Sequence, residues 1–173
     1  MIVATSASSA SSLLADHTQA ASWVAIAQAL QFEAITTVYA WGEGAALAQP
    51  MLALHSNSGS GADTPAPAQF VFDRGQLGGP AGLLAFVVSA STGEREALQA
   101  QVLVQAKNHL GLTLQAVQSV VEKRATFACT PALARPPVHI APGLLACGDY
   151  VDGPYPATLE GAVRSGLAVV AAL

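Results

Sequence analysis

Charge is what this sequence has least of. Only 10% of its 173 residues are Asp, Glu, Lys or Arg, against 52% apolar. That balance excludes a disordered, solvating chain. The seven Lys and Arg are scattered and the net charge is −4, so there is no basic footprint for a nucleic acid. Uninterrupted hydrophobic runs are also missing. Much of the apolar count is alanine, and no run of eighteen residues escapes Gly, Pro or polar interruption, which argues against a transmembrane helix. The two cysteines, Cys129 and Cys147, form no CxxC and indicate neither a zinc site nor a disulfide framework; a reducing cytoplasm is the simplest setting. His17, His55, His109 and His139 are widely spaced and make no HExxH pair. A basic-flanked signal peptide, a P-loop and a nucleophile elbow are likewise missing.

What is present reads as alternating strands and helices in one ordinary domain's length. Met1–Thr5 is an uncharged apolar run of the kind expected of a strand buried on both faces. A buried strand at the first residue suggests a piece of something larger. After the Ser-rich turn Ser6–Ser9, a helix is expected to Leu30, broken near Asp16–Thr18, with Ala21, Val24, Ala25, Gln28 and Ala29 as its apolar stripe. Ala34–Trp41, Met51–Leu54, Gln69–Asp73, Leu83–Ala90 and Val117–Ala128 have strand composition. Ser56–Pro67 reads as a flexible surface insertion. Glu94–Leu110 reads as a helix with Gly111 as C-cap. Pro131–Pro142, with its four prolines, reads as a connection. Residues 1–5 and 144–173 look like two parts of one α/β layer, far apart in sequence but neighbours in a sheet. Asp73-Arg74 at a strand end reads as a local pair, and Tyr39, Phe72, Phe86 and Phe127 as core.

The segment richest in chemistry is Leu145–Leu173. Its apolar strand ends at Gly148-Asp149, placing a carboxylate at the carboxyl end of a strand, where open α/β sheets bind ligands. Gly148 permits close approach. Pro154-Tyr155-Pro156-Ala157 then stiffens the path to a helix with Thr158 as N-cap, whose free N–H groups suit an electron-rich group. Ala162 and Gly166 are small residues at four-residue spacing, a face that permits close packing on a sheet or a flat ring. Each feature alone is equally consistent with a turn, a cap and tight packing.

Taken in order, Gly148-Asp149 and Tyr155-Pro156-Ala157-Thr158-Leu159-Glu160-Gly161-Ala162-Val163-Arg164-Ser165-Gly166 resemble the C-terminal flavin-binding motif of the amine oxidase and phytoene desaturase superfamily. The resemblance is nearest to its squalene-associated branch, the hydroxysqualene dehydroxylases of hopanoid biosynthesis. Ile35–Tyr39, Gln69–Gly75 and Glu122–Ala128 fit that branch as well. The resemblance implies FAD as cofactor, with Gly148, Asp149, Pro156, Ala157, Thr158, Leu159 and Ala162 as the residues that bind it. It implies an α/β plus α+β fold: residues 1–5 and 142–173 as a remnant of the Rossmann-like FAD-binding layer, and 6–141 as a portion of an antiparallel-sheet substrate domain. It also implies a polyprenyl or squalene-type lipid substrate and peripheral contact with a membrane. The superfamily's GxGxxG is missing: Gly42-Glu43-Gly44 and Gly59-Ser60-Gly61 lack the third glycine. A separate N-terminal FAD-binding portion is therefore an expected partner, and the chain by itself is expected to be inactive and to expose apolar surface. An amine oxidase, a carotenoid-type desaturase and a non-catalytic fragment remain open readings.

Overall fold

The computed structural model describes residues 1–57 and 65–171. In chain order its elements are β1 (Ile2–Val3), α1 (Ala7–Leu13), a 3₁₀ turn (Thr18–Ala20), α2 (Ala21–Ala29), β2 (Phe32–Trp41), β3 (Met51–Ala53), β4 (Phe70–Asp73), β5 (Leu83–Val88), α3 (Arg95–Leu110), β6 (Gln115–Phe127), β7 (His139–Ala141), β8 (Leu144–Ala146) and α4 (Leu159–Ala171). They form two compact units. One takes in residues 1–32 and 126–171, the other 33–125. The division differs from the expected one. Residues 6–32 and 126–141 fold with the terminal segments, because α1 and α2 bury their apolar sides in the same core as β8.

In the unit of residues 33–125, five strands lie in the order β3-β4-β5-β2-β6, and the β3–β4, β4–β5 and β2–β5 pairs are antiparallel. The two-residue period of a strand explains β2: Thr36, Val38 and Ala40 are buried while their neighbours are half-exposed. Helix α3 adds Leu98, Val102 and Ala106, spaced four residues apart, to the cluster of Val38, Val71, Leu84 and Phe86. Gly111 ends α3 in the left-handed conformation (φ 69°), as expected of a C-cap.

Two buried polar side chains organise the irregular stretches of this unit. Gln105, on the inner face of α3, accepts from the Ala68 N–H (2.8 Å) and donates to the carbonyls of Ala68 (2.9 Å) and His55 (3.1 Å). Asp73 accepts from the Leu47 N–H (3.0 Å), the Gln76 N–H (3.2 Å) and the Gln76 side-chain amide (2.9 Å). Its carboxylate is thus committed to Leu47 and Gln76, and the expected pairing with Arg74 gives way to them. The Leu47 N–H and the Gln76 amide hold its pKa below the ordinary 3.8, outweighing desolvation. Most of the expected Ser56–Pro67 connection, and all of Gly59-Ser60-Gly61, lie outside the described residues; at its ends Asn57 and Ala66 form an isolated antiparallel bridge.

In the other unit a three-stranded sheet has the order β1-β8-β7. β1 runs parallel to β8, with Ile2 opposite Leu145 and Val3 opposite Ala146, so residues more than 140 positions apart are neighbours. β7 is a strand inside the proline-rich segment expected to be only a connection. Its prolines, Pro136, Pro137 and Pro142, flank the strand and leave the N–H groups of His139–Ala141 intact. β1 lies at the sheet edge, and Met1 (77% exposed) and Ile2 (40%) face solvent where burial on both faces was expected.

Helix α1 begins earlier than expected, at Ala7. Ser6 is its N-cap and accepts from the Ser9 N–H (3.3 Å). The buried stripe of α2 is Trp23, Val24 and Ala27, with Ala20 buried at its N-cap, rotated from the expected Ala21, Val24, Ala25, Gln28 and Ala29. Trp23 sets that rotation. Its indole donates to the Pro137 carbonyl (2.8 Å) and its ring meets Tyr150 edge-on, centroids 6.2 Å apart. Among the described residues no helix is long and apolar enough to cross a membrane.

Candidate functional site

Parallel pairing of β1 and β8 puts the loops after both strands on the same edge of the sheet. Between them opens a cleft of about 350 Å³, lined by Ala4, Thr5 and Ser6 after β1, Cys147, Gly148 and Asp149 after β8, and Ala162 from the first turn of α4. This is the edge at which α/β sheets receive ligands. The lining is nearly all small side chains. Among the described residues none donates a hydrogen bond to the Asp149 carboxylate, which stands half-exposed as the acidic group on the wall.

The connection from β8 to α4 is fastened at several points. The Gly148 N–H donates to Ser165 Oγ (3.2 Å), and the Ala157 N–H to the Asp149 carbonyl (3.3 Å). Arg135 donates to the carbonyls of Val151 (3.0 Å) and Gly153 and to the Asp152 carboxylate (3.2 Å). Thr158 Oγ1 donates to the Tyr155 carbonyl (2.7 Å) and accepts from the Gly161 N–H (3.0 Å). Tyr155 and Ala157 both adopt the left-handed conformation (φ 57°), which costs on the order of 1 kcal/mol or more per residue and persists only where surroundings enforce it. Gly161 supplies part of that enforcement. A Cβ there would strike the Tyr155 carbonyl oxygen, so only glycine lets the bend close on the helix. Arg164 caps the bend from outside, paired with Glu160 (2.6 Å) and lying 4.9 Å from the Tyr155 ring centroid.

Of the residues predicted from the sequence, Gly148, Asp149 and Ala162 come together on the cleft wall. Pro156, Thr158 and Leu159 do not line it; all three are exposed, and Ala157 packs against the unit's core. Thr158 caps α4, and the chain-entry residues Leu159 and Glu160 have no carbonyl four positions back within the helix. Gly148 also has a close neighbour within the protein. What approaches it closely is the Tyr150 ring, whose Cε1 would lie 2.6 Å from any added Cβ.

Three contributions are absent from the sequence-based set. Ala4, Thr5 and Ser6 are too small to carry a chemical signature, and only the β1–β8 register reveals them. Arg135 sits in the proline-rich stretch and was silent. Tyr150 adjoins Asp149 in sequence but reads as an ordinary core aromatic. It is 2% exposed, and its pKa is pushed up to about 12, first by burial and then by the electrostatic influence of the neighbouring Cys147 and Asp149.

A second cleft of about 340 Å³ lies in the unit of residues 33–125, lined by Leu52, Ala53, Leu54, His55, His109 and Leu110. It is mostly apolar, and among the described residues no group of three or more metal-ligating side chains occurs there or elsewhere.

No protein-family model matches the chain. Over 77 residues, 42% of its length, it is 44% identical to hydroxysqualene dehydroxylase of Rhodopseudomonas palustris (strain ATCC BAA-98 / CGA009), and the match takes in 18% of that protein. Its structure matches the crystal structure of an oxidoreductase from Methanosarcina mazei with a TM-score of 0.57 and 15% identity, over 87% of this chain and 37% of that one. The chain thus spans well under half the length of either. At that identity the structural match speaks to architecture alone: a mixed α/β fold shared with part of an oxidoreductase.

Proposed function

We propose that this chain is the C-terminal portion of an FAD-dependent oxidoreductase of the hydroxysqualene dehydroxylase kind, and that the cleft after β1 and β8 receives part of the flavin cofactor. The observation that carries the reading is the unpartnered Asp149 carboxylate at the carboxyl end of β8, facing a wall of Ala4, Gly148 and Ala162. The 44% identity to a hydroxysqualene dehydroxylase supports the same assignment.

The residues fit such a group. A carboxylate with free lone pairs suits a ligand hydroxyl, the small side chains leave room beside it, and a cleft of about 350 Å³ is within the range of ligand sites. A flavin, when bound, supplies the two electrons with which a substrate's C–O bond is replaced by C–H and the hydroxyl leaves as water. Asp149 would orient the cofactor by accepting from a hydroxyl of its polyol chain. The first turn of α4 contributes the partial positive charge of its N–H groups, favouring an electron-rich edge near Ala162. The fastened bend from Tyr150 to Thr158 keeps both elements in register. The reading also includes a squalene-type lipid substrate, a cytoplasmic setting with peripheral membrane contact, and a further portion supplying the dinucleotide motif. The exposed stripe Leu159, Val163, Leu167 and Val170 along α4 is consistent with that portion packing there.

The test is a visible absorption spectrum of the purified chain after addition of FAD and removal of the excess. Retained flavin, lost in Asp149→Ala, is the expected result. A chain that takes up no FAD would overturn the reading that this cleft holds flavin without the further portion, and an Asp149→Ala variant that holds it equally well would overturn the role of Asp149.

A further inference from the structure

The hydrogen bonds along β8 alternate between its two neighbours, as in any central strand. The N–H groups of Leu145 and Cys147 donate to the carbonyls of Met1 (3.0 Å) and Val3 (3.0 Å), and the N–H of Ala146 donates to the carbonyl of Val138 (2.8 Å), on the β7 side. The next N–H on the β7 side belongs to Gly148. In the antiparallel register that joins Ala146 to Val138, its acceptor would be the Pro136 carbonyl. That carbonyl accepts instead from the Asp152 N–H (2.9 Å). Gly148 is therefore where β8 leaves the sheet, and its donor is met from a helix: Ser165 Oγ, in α4, accepts it at 3.2 Å.

This substitute bond sits at the cleft. Ser165 follows Ala162 by three residues, on the same side of α4. One face of the helix thus supplies both the Ala162 part of the cleft wall and the hydroxyl that ties down Gly148, the residue before Asp149. Among the described residues no donor holds the Asp149 carboxylate, so its place is set through the backbone on either side of it. Two bonds do this: the Gly148 N–H to Ser165, and the Ala157 N–H to the Asp149 carbonyl (3.3 Å). Only the first depends on a side chain.

We propose that Ser165 is a positioning residue of the cleft: its hydroxyl fixes Gly148 and so sets the Asp149 carboxylate opposite Ala162, ready for a ligand hydroxyl. The inference rests on the cofactor reading above for what the carboxylate receives. It adds a residue that acts without touching the ligand and lies outside the predicted binding set.

The experiment compares the isotope-labelled wild-type chain with Ser165→Ala and Ser165→Thr. Alanine removes the acceptor and suits a helix. Threonine keeps the oxygen, and its methyl group has room in a cavity of about 70 Å³ that Ser165 lines with Gly161 and Ala168. The first measurement needs no ligand. Backbone order parameters at Gly148 and Asp149 should match rigid backbone, about 0.85, in the wild type and Ser165→Thr, and fall toward about 0.6 in Ser165→Ala. The second is equilibrium titration with FAD in a double-mutant cycle with Asp149→Ala. Ser165→Ala should raise the dissociation constant about fivefold, the equivalent of one hydrogen bond, and Ser165→Thr should restore it. In the Asp149→Ala background Ser165→Ala should cost nothing more, because the serine acts through the carboxylate. A merely structural serine would weaken binding by the same factor in both backgrounds. Unchanged order parameters in Ser165→Ala, or additive effects in the cycle, overturn the proposal while leaving the cofactor reading intact. A wild-type chain that binds no FAD overturns the cofactor reading, and the order parameters then decide by themselves whether Ser165 positions Asp149.

Discussion

Two glycines on the same helix should respond to alanine in opposite directions. Gly161 and Gly166 both lie in α4. Alanine is favoured over glycine in a helix by up to about 1 kcal/mol. At Gly166 a Cβ meets nothing within 4 Å, so Gly166→Ala should realise that gain. At Gly161 the Cβ collides with the Tyr155 carbonyl oxygen, and the bend above the helix must lift. Lifting it breaks the Thr158 Oγ1 bond to Tyr155 (2.7 Å) and the Gly161 N–H bond to Thr158 Oγ1 (3.0 Å). At about 1 kcal/mol per hydrogen bond, with about 1–3 kcal/mol of overpacking strain against the propensity gain, Gly161→Ala should lose about 2 kcal/mol or more. Urea unfolding followed by circular dichroism reads both variants, with an unchanged m-value as the sign that only stability has moved. If Gly161→Ala matches or exceeds the wild type, glycine is not what allows the bend to close, and the account of how Asp149 and α4 are held together is wrong.

Two further predictions concern pH. Asp73→Asn places an amide NH₂ among three N–H donors and should cost about 2–4 kcal/mol near neutral pH. Because the folded pKa of Asp73 lies below 3.8, its contribution is present above that value and lost as pH falls through the folded pKa, so the gap between variant and wild type should narrow in acid-unfolding curves. A gap that stays constant with pH would contradict the assignment. Tyr150 gives the opposite limb. The unfolded phenol ionises near pH 10.0 and the folded one near about 12, so the folded state holds more protons between them and stability falls as pH rises through that window. The loss relative to Tyr150→Phe should approach about 3 kcal/mol, and parallel alkaline curves for the two proteins would refute it.

The strands and helices of the unit of residues 33–125 were legible because periodicity and burial coincide there: Thr36, Val38 and Ala40 alternate, and Leu98 and Val102 recur at four. Alanine-rich α2 was less legible, since alanine is tolerated on either side of a helix and only Trp23 carries enough area to set the rotation. Gln105 and Asp73 were unreadable as structural residues because their partners, Ala68 and Leu47, lie 37 and 26 positions away. Short β7 was hidden by the prolines around it. At the candidate site, Gly148, Asp149 and Ala162 stood out by their order in the chain. The opposite wall did not, because Ala4–Ser6 joins it only through the parallel register of Ile2 with Leu145, a long-range pairing that local sequence does not encode. Pro156, Thr158 and Leu159 belong to the same motif but serve here to shape and cap the entry to α4 rather than to form the wall.

The central claim is that the cleft after β1 and β8 is where flavin binds, and amide chemical-shift mapping of the isotope-labelled chain during titration with FAD addresses it most directly. The account predicts saturable shifts grouped at Ala4–Ser6, Cys147–Asp149 and Ala162, much reduced in Asp149→Ala. Shifts grouped instead at Leu52–His55 and His109–Leu110, or no saturable shifts at all, would contradict it.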